Sequence, residues 1–146
     1  ITSDDKRGCA EVRASTDIPI AAGESEFTRF DFRDLADARA VDIFQPDMAI
    51  CGGITEAMRI AALGSAYQIR VAPHMWGGAL MFAAGVQVSA ACPNVFILEY
   101  SLGANPMLHD LVEEDFPIEN GEFVIPDRPG LGVTINEDFV RRHTVT

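Results

Sequence analysis

Apolar runs of four or five residues recur along the first hundred positions, and each is followed by a polar side chain. The runs at 18–22, 41–44, 69–73 and 95–98 precede Glu24, Asp47, His74 and Glu99, and these four polar groups follow one another at intervals of 23, 27 and 25 residues. Short apolar runs of this length read as buried strands. Between them the period changes. Over 54–67, Ile54, Ala57, Met58, Ala61, Ala62 and Ser65 keep i, i+3, i+4 spacing with Thr55, Glu56 and Arg59 opposite, which predicts an amphipathic helix. Gly52 and Gly53 supply the tight turn into it. Further helices are predicted over about 28–38 and 79–91, the second almost wholly apolar. A first helix over about 4–13 would start on Ser3 as N-cap, with acids near its positive end. Strand and helix alternate, so the sheet is expected to be parallel with right-handed crossovers.

A parallel sheet of this kind is either an open doubly wound sheet or part of an eight-stranded barrel, and in both the carboxyl ends of the strands carry the chemistry. A barrel points those ends at one centre. Two glutamates, an aspartate and a histidine delivered to a common rim make an acid-base site. Neither GxGxxG nor GxxxxGK[ST] occurs in the chain, so no phosphate loop competes with that reading.

Counting residues 1–2 as the stub of a strand gives about five strands, whereas a closed barrel needs eight and typically ~250 residues. The 146-residue chain is therefore expected to be the carboxyl half of a larger protein. Residues 1–100 would form a partial (β/α) barrel and 101–146 a tail packing on the barrel or on a capping domain. In the tail, Gly103, Asn105, Pro106 and Pro117 interrupt the pattern. A short helix is expected over 108–114, an edge strand over 121–126 ended by its proline, and a turn-rich loop over 127–132.

Composition narrows the partners. The chain is 48% hydrophobic, as globular domains are, and carries a formal net charge of −11, which argues against nucleic acid or an anionic membrane surface. No apolar run approaches the ~20 residues of a membrane span. Cys9, Cys51 and Cys92 form no CxxC pair and are expected as buried thiols of a reducing, cytoplasmic compartment.

The segments PIAAGE (19–24), DIFQPD (42–47), GGITEAMRIAALG (52–64), APHMWGG (72–78), PNVFILEY (93–100) and GEFVIPDRPGLGV (121–133) resemble, in order and over nearly the whole chain, the carboxyl half of enolase-superfamily enzymes of the mandelate racemase and muconate lactonizing type. The resemblance implies the carboxyl-terminal half of a (β/α)7β TIM-type barrel, with a tail that belongs to an α+β capping domain. It implies enzymes that hold Mg2+ on three acids from successive strands, take the proton next to a substrate carboxylate and stabilise the enediolate that results. Glu24 matches the third metal ligand. Asp47 and His74 match the aspartate-histidine dyad of the mandelate racemase-like subgroup, and Glu99 matches the last-strand acid that faces the substrate carboxylate opposite the metal. The first two metal acids, and the strand that often carries a lysine base, have no counterpart in this sequence. A homo-oligomer, or pairing with a complementing amino-terminal half, is also implied.

Each position has a plainer reading beside this one. Glu24 could cap the helix that begins near residue 28. His74 suits a general base because an unperturbed imidazole has a pKa of ~6.5. With Asp47 on Nδ1 the ring would keep the tautomer that offers Nε2 to substrate, and a satisfied structural histidine is the alternative. Glu99 would repel an enediolate unless it carried a proton and donated it, and the alternative is a glutamate bound to a backbone amide. Trp76 and Met75, directly after His74, are candidate pocket walls with Tyr100, while Trp76 could equally pack between helix and tail. Asn105 is a further pocket candidate, and Arg128 is expected to pair with a nearby acid. The APHMWGG and LEY segments look closest to acid-sugar dehydratases and lactone cycloisomerases. The expected activity is thus Mg2+-dependent dehydration of a sugar acid, a small-molecule carboxylate. Racemization, epimerization or cycloisomerization is the alternative within the superfamily, and a non-catalytic half-barrel the alternative outside it.

Overall fold

A computed structural model describes residues 1–145, so the last position of the expected 101–146 tail lies outside the described residues. The chain opens with helix α1 (Lys6–Ala14), capped by Asp5, whose carboxylate accepts from the Gly8 amide at 2.8 Å. Asp5 takes the place expected of Ser3, which lies too far ahead of the first helical turn to reach its free amides. There follow β1 (Ala21–Ala22), α2 (Thr28–Asp37), β2 (Ile43–Phe44), α3 (Gly53–Ala66), β3 (Arg70–Val71) and α4 (Ala79–Ala91). The strands lie in the order β1-β2-β3, all parallel, with Ala21 opposite Ile43 and Ile43 opposite Arg70. Beyond β3, a parallel bridge from Val71 to Val95 continues the sheet. The strand expected over 95–98 is reduced to that bridge, closed by Val71 N–H donating to Asn94 O at 2.9 Å and Phe96 N–H to Val71 O at 3.3 Å.

Packing follows the apolar stripes. Helix α3 buries Ala57, Ile60, Ala61 and Gly64, positions spaced along one helical face. A Cβ at Gly64 would stand 3.0 Å from the Ile69 carbonyl and 3.2 Å from the Phe44 ring, so only glycine lets the helix lie this close to the sheet. The main core gathers Phe32, Leu35, Phe44, Ile60 and Val71, with the Phe32 and Phe44 rings edge to face at 5.0 Å. Glu56, in the first turn of α3, is buried and clasps the start of α2. It accepts from the Arg29 amide at 3.0 Å and pairs with the Arg29 and Arg59 guanidiniums. These donors pull its carboxyl down from an ordinary 4.5 to about 2.

Helix α4 is buried nearly all round because two layers cover it. The tail supplies one of them. After α5 (Pro106–His109) comes an antiparallel hairpin of β4 (Ile118–Glu119) and β5 (Glu122–Phe123), and α6 (Glu137–His143) ends the described chain. Met75, Phe82, Val86 and Leu108 form a second core there, and Phe82 meets the rings of Tyr100, Phe116 and Phe123 at 5.3, 4.7 and 5.4 Å. Glu114 holds the tail loop by accepting from Thr134 N–H at 2.6 Å and pairing with Arg128 at 3.0 Å. No described helix is long and apolar enough to cross a membrane. Cys51 and Cys92 are buried and Cys9 partly so, and none is in a disulfide.

Candidate active site

The carboxyl ends of β1, β2 and β3 lead to Glu24, Asp47 and His74. The β2–β3 ladder runs on past its regular part: the His74 amide donates to Pro46 O at 3.2 Å, and Asp47 and His74 form a parallel bridge. Opposed residues of a parallel ladder send their side chains to the same face, and strands lie ~4.8 Å apart. The result is a hydrogen bond of 2.8 Å between His74 Nδ1 and Asp47 Oδ2. An ionised carboxylate only accepts, so the shared proton sits on Nδ1 and a neutral ring offers the lone pair of Nε2. Asp47 is itself held. Its Oδ1 accepts from the Ala49 amide at 2.6 Å, and its carbonyl accepts from Ile50 and Cys51 at 3.1 and 2.8 Å. It is 4% exposed, so the carboxylate has little freedom to leave the ring. Burial, with the Asp47 charge second, pushes the neighbouring Cys51 thiol up to about 11, which leaves it a protonated packing residue.

Glu24 reaches the same point by a different device. Glu26 N–H donates to Gly23 O at 3.1 Å, closing a turn with Glu24 at its outer corner. Gly23 has φ +133°, and a Cβ there would stand 2.7 Å from the Phe32 ring. Glu26 is buried and both its oxygens accept from Lys6 Nζ at 2.8 Å, tying the turn to α1. Glu24 Oε2 comes within 3.4 Å of His74 Nε2, while its side chain remains 61% exposed. His74 thus stands between two carboxylates, one on each ring nitrogen.

Glu99 arrives from the fourth run. Its Oε2 accepts from the Met75 amide at 2.7 Å, so in this structure it is a backbone acceptor next to the base. The remaining candidates separate. Met75 is fully buried in the second core, under α4, where a Cβ on Gly85 would collide with its sulfur. It is a packing residue, and the expectation that it lines a substrate pocket is corrected. Tyr100 also turns to that core, its ring edge-on to Phe82, because in an extended segment Leu98 and Tyr100 share one side and Glu99 the other. It too packs where a pocket wall was expected. Trp76, two residues after His74, is 71% exposed. Asn105, which was taken for a pocket residue, is bonded at both ends within the protein. The Lys6–Glu26 pair left no local signal, because its members lie 20 residues apart.

Mg2+ demands near-octahedral oxygen ligation at ~2.0–2.1 Å. Among the described residues no three His, Cys, Asp or Glu side chains are grouped to hold a metal. Glu24 offers one carboxylate, and both oxygens of Asp47 are committed to His74 and Ala49. The residues of this chain do not by themselves make a Mg2+ site.

The chain is 43% identical over 134 residues to the D-xylonate dehydratase of Haloferax volcanii, matching 92% of this chain and 32% of that protein. It is 39% identical over 137 residues to the D-galactarolactone cycloisomerase of Agrobacterium fabrum, matching 88% of this chain and 36% of that one. The crystal structure of the 3,6-anhydro-D-galactonate cycloisomerase from Zobellia galactanivorans superposes with a TM-score of 0.93 at 32% identity, covering 100% of this chain and 41% of that one. The chain therefore spans about a third of the length of the curated relatives it matches. Its strands and helices are those of the carboxyl-terminal half of a mandelate racemase-type barrel. The family described as enolase C-terminal domain-like matches residues 1–139, and the chain belongs to it.

Proposed function

We propose that the protein is an acid-sugar dehydratase to which this chain contributes the acid-base pair. His74, oriented by Asp47, removes the proton α to the substrate carboxylate. The imidazolium that forms then returns a proton to the departing β-hydroxyl, so that water leaves and a 2-keto-3-deoxy acid remains after the enol tautomerises. Asp47 fixes the tautomer before the transfer and balances the ring charge after it. The observation that carries this reading is the 2.8 Å bond from Nδ1 to a buried carboxylate, with Nε2 on the side of the ring that faces the exposed Glu24 at 3.4 Å. Such a base contributes ~10²- to 10⁴-fold to rate.

Mg2+ dependence is part of the proposal, with Glu24 as the one ligand this chain gives and the others drawn from outside it. Glu99 is proposed to face the substrate carboxylate through the oxygen that Met75 does not use. The likeness to two cycloisomerases, one of a lactone and one of an anhydro sugar acid, keeps cycloisomerization as the second reading. Incubating the protein with D-xylonate, D-galactonate and related sugar acids in D2O, with Mg2+, separates them. A 2-keto-3-deoxy product supports dehydration, and solvent deuterium appearing without loss of water supports isomerisation. Neither product nor exchange from any acid overturns the proposal and leaves a non-catalytic half-barrel.

A further inference from the structure

The main chain is held on both sides of Trp76. Met75 N–H is taken by Glu99, the Met75 side chain is sealed in the second core, and Gly77 N–H donates to Met75 O at 3.1 Å. The Gly77 carbonyl accepts from Asn105 Nδ2 at 3.0 Å. Asn105 also caps α5, its Oδ1 accepting from Met107 N–H at 3.1 Å. Those partners settle which end of the amide is which: an N–H on one side requires the oxygen there, and a carbonyl on the other requires the nitrogen. Behind the segment, the first turn of α5 closes in, with Met107 O only 3.4 Å from where a Cβ on Gly78 would stand. The one side chain left outside this frame is Trp76, 71% exposed.

We infer that Asn105 is a positioning residue, a latch from α5 to Gly77 that sets where the indole of Trp76 stands beside His74, and through it which sugar acids fit. A helix cap alone needs only the oxygen of Asn105; the donated bond to a carbonyl 28 residues earlier is the part that capping does not explain. The consequence for substrate choice rests on the dehydratase reading, whereas the latch itself does not.

Asn105→Asp separates the two jobs, since aspartate caps a helix as well as asparagine but cannot donate to Gly77. Asn105→Ser does the same without the added charge, being too short to reach. Trp76 is the only tryptophan of the chain, so its fluorescence anisotropy reports on this segment alone. Both variants should keep the far-ultraviolet spectrum and lose anisotropy, with faster hydrogen exchange at the Gly77 amide. In the active protein, both should shift the ratio of kcat/KM for D-galactonate against D-xylonate, mainly through KM. Unchanged anisotropy and exchange overturn the latch, as does collapse of the fold in both variants, which would make Asn105 structural only. Should neither sugar acid be turned over by the parent protein, the dehydratase reading fails while the anisotropy still decides the latch.

Discussion

Asp47 and His74 are placed by backbone pairing between adjacent strands, whereas Glu24 and Glu99 are placed by a turn and by a single side-chain bond. The first pair is 4% and, for the imidazole, 15% exposed; the Glu24 side chain is 61% exposed and Glu99 is open to solvent. The contrast teaches that this chain carries a tightly fixed aspartate-histidine couple and only loosely held acids around it. The couple takes its geometry from the sheet and from the Ala49 amide on the Asp47 carboxylate. The flanking acids take theirs from neighbours that a small change can displace.

Breaking the couple should give the largest effect. His74→Asn is expected to reduce solvent deuterium incorporation into a sugar acid by roughly 10²- to 10⁴-fold, and a fully active variant would place the base elsewhere. Asp47→Asn should follow within that range, since an amide offers one acceptor where Asp47 uses two, so either the ring loses the tautomer that frees Nε2 or the Ala49 amide loses its partner. On the flanking side, Gly23→Ala forces a side chain into φ +133° and against Phe32, for about 1–3 kcal/mol of stability by urea unfolding. An unperturbed midpoint would show that the Glu24 turn is not locked. Glu99→Ala should cost about 1 kcal/mol by freeing the Met75 amide, with Glu99→Gln restoring it because its carbonyl oxygen still accepts. A separate effect lies away from both regions, at Glu56. Its carboxyl titrates lower in the folded chain, about 2 against an ordinary 4.5. Its contribution is therefore present above pH 4.5 and disappears as pH falls toward 2. The stability gap between the parent and Glu56→Gln should close over that window, with the dyad untouched.

Where the chain obeys a strong period, sequence and structure agree closely. Helix α4 spans Ala79–Ala91 as its almost wholly apolar run predicts, and the spacing of the polar groups brings Asp47, His74 and Glu24 to one rim. The tail was harder to read because local turn chemistry decides it. The helix expected over 108–114 starts instead at Pro106, where asparagine as cap and proline at the first helical position outweigh the weak apolar pattern. The Asn120–Gly121 corner, both residues at positive φ, folds back an unanticipated hairpin partner for the predicted edge strand. Helix α6 was missed although Asn136, two acids and a basic last turn mark its ends, since Phe139 alone is buried and no apolar stripe announces it. Met75 could not have been sorted from Trp76 by sequence. Their fates differ through the tertiary contact with Gly85, which no spacing encodes.

The bridge between Asp47 and His74 makes the two residues passengers on one piece of main chain. Warming or swelling of the surrounding loops would carry both together, so their mutual alignment should outlast the order of everything around them. A unit with that property is portable: grafted as two neighbouring staves into another barrel of the same curvature, it would arrive already aligned, leaving only the loops to be chosen for a new substrate.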